Sequence, residues 1–300
     1  MDLDANARRF SGFADLYDAV RPTPPQALAD VITKYAGGRP ALTVDLGSGT
    51  GLSTRWAATW SSEVIGVEPS DDMRRRASDA AAAPNVTYAA GWSNRTGLRD
   101  HYADVAIAVQ ALHWMDPVST FVEVARILRP GGVFAAIDCD WPPSVGDARA
   151  EQAWHAARAN VAAHERRLAG WADNTAAQRV PSSSPQSDEL RPRAAADDSS
   201  SVTIAEGVQY WHKGDHLRRM AESQRFQHCI EIAAVSEERG DADRFVRLFQ
   251  SQGDYQALRR NGIDDESLGV DRFAAEVHDI LGAESRPFWF TYRARLGIAR

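Results

Sequence analysis

The segment with the clearest chemical content is Val44-Asp45-Leu46-Gly47-Ser48-Gly49-Thr50-Gly51-Leu52. It leaves an apolar run and enters a helical pattern. Glycine lacks a Cβ, so such a loop can turn tightly and bring backbone against a ligand. A dinucleotide loop of the form G-x-G-x-x-G would need its third glycine at position 52, where this chain has Leu52. Seventeen residues beyond Gly51, the run Val64-Ile65-Gly66-Val67 ends in Glu68-Pro69-Ser70. A carboxylate at the tip of a neighbouring strand can accept hydrogen bonds from both hydroxyls of a ribose. Either piece alone also fits a bland reading: a tight turn, or an acid at a helix start. A third candidate is Gln110-Ala111-Leu112-His113-Trp114-Met115, a polar and aromatic tip following the apolar run Ala103–Val109.

These residues need strands and helices to position them. Pro24-Pro25 open a helix that runs to about Tyr35 and stops at Gly37-Gly38. Ala41–Leu46, Glu63–Val67, Asn85–Ala90, Ala103–Val109 and Val133–Ile137 read as strands, the fourth apolar throughout and so buried on both faces. Helical patterns over Thr50–Trp60, from Ser70 to the alanines before Pro84, and over Ser119–Leu128 alternate with them, and Arg129–Gly132 reads as a turn. This alternation predicts a doubly wound, mostly parallel α/β sheet, whose ligand lies beyond the carboxyl ends of the strands.

The second half differs. Ala148–Trp171 is one long helical pattern, and 174–203 is rich in Ser, Pro and charge, which predicts a loop or lid. Helix resumes over Gly214–Ser223. Phe226–Val235 and Pro287–Ile298 read as strands, with Asp241–Leu281 helical between them. The expected organisation is a helical cap over 1–40, a binding core over 41–140, a lid-forming insertion over 141–225 and a strand–helices–strand ending over 226–300.

Composition narrows the function classes. The net charge of −7 argues against a nucleic-acid partner, and the arginine clusters at 74–76, 166–167, 218–219 and 259–260 sit in helical patterns with acids nearby. No apolar run is long enough to span a bilayer, so no membrane partner is expected. Cys139 and Cys229 form neither a disulfide framework nor a metal knot, and the start lacks a signal-peptide pattern, so the expected setting is a reducing cytoplasm. No metal site is expected. Oligomeric state stays open.

Taken together, Phe13–Pro22 (Phe-x-x-x-Tyr-x-x-x-Arg-Pro), Val44–Leu52, Val67–Pro69, Gln110–Asp116 and Leu128–Val133 resemble the class I S-adenosylmethionine (SAM)-dependent methyltransferases, and within them the trans-aconitate methyltransferase-like branch. The resemblance is strong over about 10–140 and weak beyond. It implies a Rossmann-like seven-stranded sheet whose antiparallel last strand inserts beside the fifth, with SAM as cofactor and S-adenosylhomocysteine as product. It further implies that Asp45 supports the loop and the ligand's amino group. Gly47, Ser48 and Gly49 would lie along the methionine and ribose, and Glu68, with Pro69 next to it, would hold the ribose. Gln110 would line the sulfonium side. Tyr17 and Arg21 would close over the ligand, Arg21 facing its carboxylate. Many relatives carry an acid after the third strand; here Gly91-Trp92-Ser93 stands there, so Trp92 either stacks on adenine or is simply buried.

Methyl transfer depends mainly on alignment and exclusion of water, and orientation alone can contribute roughly 7–11 kcal/mol. A carboxylate acceptor needs no base, whereas a hydroxyl or amine does. His113 is the candidate base, or else a lining residue, and Trp114, Trp141 and Trp211 are candidates for an apolar acceptor pocket or for core. The expected acceptor is a small molecule. A peptide or protein acceptor, and a SAM-binding module without catalysis, are the alternatives.

Overall fold

The computed structural model describes residues 14–80, 83–172, 201–205 and 208–300, with backbone alone for 169–172, 201–205 and 208. Seven strands form the central sheet: β1 Leu42–Leu46, β2 Glu63–Glu68, β3 Val86–Ala90, β4 Ala103–Val109, β5 Leu128–Cys139, β8 Phe226–Gly240 and β9 Arg286–Ala299. Their order is β3-β2-β1-β4-β5-β9-β8. The first five are parallel, and β9 inserts antiparallel between β5 and β8. This is the Rossmann-like sheet expected from the sequence, including the place of the last strand.

Side-chain alternation explains why both faces are covered. Val105, Ile107, Val133, Ala135 and Ile137 enter one core, while Ala106, Ala108, Phe134 and Ala136 enter the other. Helices flank this sheet: α1 Ala14–Val20, α2 Gln26–Tyr35, α3 Leu52–Ala58, α4 Asp71–Ala80, α5 Pro117–Ile127, α6 Ala148–Ala172, α7 His216–Glu222, α8 Ala242–Gln250, α9 Gly253–Arg260, α10 Asp265–Leu268 and α11 Val270–Leu281. Local chemistry sets several starts. Asp116 accepts from the Ser119 amide ahead of Pro117, and Asp241 accepts from the Arg244 amide. In the second half, Trp154 of α6 is buried against Phe245, Phe249 and Phe273, which joins the insertion helix to the helices between β8 and β9. No helix among the described residues is long and apolar enough to cross a membrane.

Three expectations change. Arg129–Gly132, expected as a turn, lies within β5 but bulges, since Ala103 pairs with Leu128 and Val105 with Val133. The strand expected to end at Val235 continues to Gly240, because its alternating residues keep pairing with β9. The loop expected over 174–203 contains strand at its end: β6 Ser201–Ala205 pairs with β7 Val208–Trp211. The rest of that loop lies outside the described residues.

Candidate functional site

The glycine loop joins β1 to α3, and Gly47, Gly49 and Gly51 all adopt positive φ, at 67°, 53° and 81°. At Gly51 a Cβ would overlap the Tyr88 hydroxyl, so the requirement there is both conformational and steric. We expect Gly51→Ala to cost about 2 kcal/mol or more in urea unfolding; an unchanged midpoint would mean that Tyr88 gives way freely. Gly49 is different. A Cβ there would meet nothing within 4 Å, and the residue borders open space.

That space is a cleft of about 1250 Å³ including its mouth, running along the carboxyl ends of the strands. Gly47, Ser48, Gly49, Glu68 and Pro69 line one end. Glu68 is 8% exposed; its Oε2 accepts from the Gly49 amide at 3.0 Å and its Oε1 from the Ser70 amide at 3.0 Å. Each oxygen keeps capacity for a further donor. Burial raises the Glu68 pKa, against these two bonds. Trp92 and Ser93 also line the cleft, Ser93 sharing a hydrogen bond with Thr120. Tyr17, Arg21, Gln110, Trp114, Met115 and Trp141 also line it, joined by Cys139 and Tyr292, which the sequence had not marked as site residues.

Three expected site residues are not in the lining. Asp45 is fully buried beneath the loop. Its Oδ2 accepts from Ser53 and Thr54, both at 2.7 Å, while its Oδ1 has no partner. It therefore ties the first turn of α3 to the end of β1 without facing the cleft. Burial raises its pKa to about 7. A carboxyl whose folded pKa exceeds the unfolded value of 3.8 binds more protons folded than unfolded, so stability is lost as pH rises through that window. We expect wild type to lose about 2 kcal/mol relative to Asp45→Asn between pH 5 and 8. Parallel urea curves for the two proteins over that range would contradict this.

His113 sits in the short 3₁₀ turn Leu112–Trp114, with its ring against those of Trp114 and Tyr210, which also pack on each other. It is 5% exposed and turned toward Asp138, with Nδ1 3.3 Å from Oδ1. Burial, and then the charge of Lys213, lower its pKa to about 4. The imidazole is thus neutral and weakly basic, away from the cleft lining, which corrects its expected role as a base. Trp211 is the third; it packs its ring against Arg219.

Beneath Gln110 lies a buried polar cluster drawn from distant parts of the chain. Asp138, near the end of β5, is paired with Arg295 of β9 at 2.8 Å and Lys213 at 3.4 Å. Lys213 also donates to Gln110 Oε1 at 2.8 Å, while Gln110 Nε2 donates to the Cys139 carbonyl at 3.3 Å. His113, Asp138 and His216 offer ligand atoms within 4.8 Å of one another, the geometry of a metal site. Arg295 and Lys213 already neutralise Asp138, so a divalent ion would add charge beside two positive groups, one of them buried. Sequence reading missed this cluster. Its one signal was a charge within each of two apolar strands, Asp138 in Ala135–Cys139 and Arg295 between Ala294 and Leu296.

Residues 44–136 match the family model described as a methyltransferase domain. Over these residues the chain is similar to methyltransferase domains. An uncharacterized methyltransferase of Mycobacterium tuberculosis (strain H37Rv) is 33% identical over 123 residues, covering 41% of this chain and 49% of that protein. A probable S-adenosylmethionine-dependent methyltransferase of Saccharomyces cerevisiae is 32% identical over 124 residues, covering 40% and 43%. The matches thus span about half the length of these curated relatives. For the methyltransferase domain and its surroundings, the fold is shared with a solved structure, a candidate type II methyltransferase from Anaeromyxobacter dehalogenans (TM-score 0.61, 23% identity, covering 93% of this chain and 97% of that one).

Proposed function

We propose that this protein moves a methyl group from SAM to a small-molecule acceptor by in-line displacement. The observation that carries this reading is a single cleft that joins the glycine loop and Glu68 at one end to aromatic walls at the other. The residues fit the cofactor: Gly49 leaves room for a ligand against the backbone, Glu68 has acceptor capacity for ribose hydroxyls, and Trp92 offers a ring at the adenine end. When bound, SAM supplies an electrophilic methyl group on a sulfonium. The chain's own residues orient the partners and keep water out. Gln110, fixed between Lys213 and the Cys139 carbonyl, sits between the glycine loop and the aromatic walls. Trp114, Trp141 and Tyr17 supply apolar surface for an acceptor. Burial pushes the Cys139 thiol up to about 12 and the Tyr292 hydroxyl well above its usual value, so neither acts as a base near neutral pH.

The test is transfer of label from methyl-labelled SAM into a cell extract separated into small-molecule and macromolecular fractions. Label in small molecules supports the proposal. Label in macromolecules alone would replace it with a peptide or protein acceptor, and no transfer despite tight SAM binding would leave a binding module.

A further inference from the structure

Among the described residues that line the cleft, Gln110 alone, glycines aside, holds a positive φ, at 54°. A residue with a side chain rarely adopts that conformation, and it persists only where the surroundings impose it. Here they act on backbone and side chain together. The Gln110 amide donates to the Ile137 carbonyl at 2.8 Å. Its side-chain Nε2 donates to the Cys139 carbonyl at 3.3 Å, and its Oε1 accepts from Lys213 Nζ at 2.8 Å. Both polar ends of the side-chain amide are thus committed to protein atoms, and the oxygen is taken by a cation that does not itself line the cleft.

Lys213 comes from outside the stretch 44–136 that matches the methyltransferase domain model. It opens the 3₁₀ turn Lys213–Asp215 between β7 and α7. Its approach is fixed on both sides. Before it, the Tyr210 ring lies 5.4 Å from those of His113 and Trp114, which follow Gln110 closely in the chain. After it, His216 is fully buried, with Nε2 3.9 Å from Asp138 Oδ2. Only two of the chain's 34 lysines and arginines are lysines, Lys34 and Lys213, so the cation at this point is not the usual one. An ammonium is compact and carries three donors that can serve acceptors in different directions. Lys213 serves two, Gln110 Oε1 and, at 3.4 Å, Asp138 Oδ1.

That hold has a chemical consequence. Positive charge leaves the sulfonium as the methyl group moves, so an amide oxygen resting on the sulfur side would stabilise the ground state more than the transition state. A glutamine free to turn beside a sulfonium would be drawn to that contact by the opposite charges. We propose that Lys213 is a positioning residue for methyl transfer: it holds the Gln110 oxygen off the cofactor's sulfonium and fixes the amide between cofactor and acceptor. The inference rests on the placement of the sulfonium beside Gln110 in the reading above. It deepens that reading by adding a residue from beyond the matched domain.

Calorimetry and labelled transfer test it together. Affinities for SAM and S-adenosylhomocysteine are measured separately, because only SAM carries the sulfonium. Lys213→Met is expected to raise the ratio of SAM to S-adenosylhomocysteine affinity by about fivefold. It should also lower the transfer rate at saturating SAM, with the small-molecule extract as acceptor, by about tenfold. The fold should persist in thermal melts, because the Lys213 side chain is 26% exposed and Asp138 keeps its pair with Arg295. In a Gln110→Ala background the same substitution should change either quantity by less than about twofold, since Lys213 acts through Gln110. An undiminished effect there would overturn the positioning role, as would an unchanged ratio and rate in Lys213→Met alone. Equal losses of affinity for both ligands would mark a general loosening of the cleft and count against it too. If Gln110→Ala by itself leaves both affinities and the rate at wild-type values, the placement of the sulfonium fails, a result separate from any failure of Lys213. Absence of transfer by wild type into small molecules would refute the acceptor reading alone, because the affinity ratio still reports on Lys213.

Discussion

Glu68→Ala is expected to lower affinity for S-adenosylhomocysteine by about a hundredfold, the largest binding effect of any single substitution in the cleft. Two ribose hydroxyls donating to one carboxylate form two charge-assisted bonds, each contributing roughly 1.5–3 kcal/mol, and each 1.4 kcal/mol is about a factor of ten. The side chain also organises the loop, because Gly49 and Ser70 both donate to it. Alanine therefore removes the ligand's partner and releases the Gly49 amide that the partner held. Glu68→Gln separates these effects: it keeps the length and one acceptor oxygen but lacks the charge, so its affinity should fall between the other two. Calorimetry measures all three proteins, with thermal melts to show that the fold persists. Binding by Glu68→Ala within threefold of wild type would remove Glu68 from the ribose role.

How well the sequence foretold each part depended on how local the cause was. The glycine loop and Glu68 were readable because each is a short pattern at the end of an apolar strand, and the strand itself announces the edge of the sheet. β1, β4 and the later part of β5 were readable for the same reason, since burial on both faces leaves continuous apolar runs. His113 shows the limit. Its position just past β4 was correct, but the turn Leu112–Trp114 sends the ring toward Asp138 rather than into the cleft. That orientation depends on Tyr210, Lys213 and Asp138, which come from β7, the turn after it and β5. Asp45 departs in a milder way: Ser53 and Thr54, in the first turn of α3, hold its carboxylate below the loop. The hairpin of β6 and β7 was hidden by composition, because Ser199-Ser200-Ser201 looks like the end of a polar linker and only four or five residues of each strand pair. Tyr292 reaches the cleft only because β9 inserts beside β5, a topology that no spacing in the sequence records.

Asp138→Asn is expected to destabilise the fold by about 3–5 kcal/mol at pH 7, the range for removing one partner of a buried ion pair. Asp138 and Arg295 are 2% and 3% exposed, and the carboxylate also faces Lys213. Asparagine would leave two cations near one another with only Glu231, 2.7 Å from Arg295 Nε, to offset them. The pH dependence of the loss identifies its cause. Burial alone would raise the Asp138 pKa, but the positive charge of Lys213 and the bond from His113 outweigh it, and the pKa is held well below the usual carboxylate range. A depressed folded pKa contributes stability that is complete above the unfolded value of 3.8 and is lost as pH falls through the folded one. The gap between wild type and Asp138→Asn in urea unfolding should therefore be widest near neutral pH and narrow below about pH 4. A gap that stays constant with pH would mean that the carboxylate's shape and hydrogen bonds matter there, and its charge does not. The same substitution frees Lys213 from its ion pair, and with it the hold on Gln110 Oε1. Loss of stability and misplacement of the side chain between cofactor and acceptor should thus appear in the same variant, because one buried carboxylate supports both.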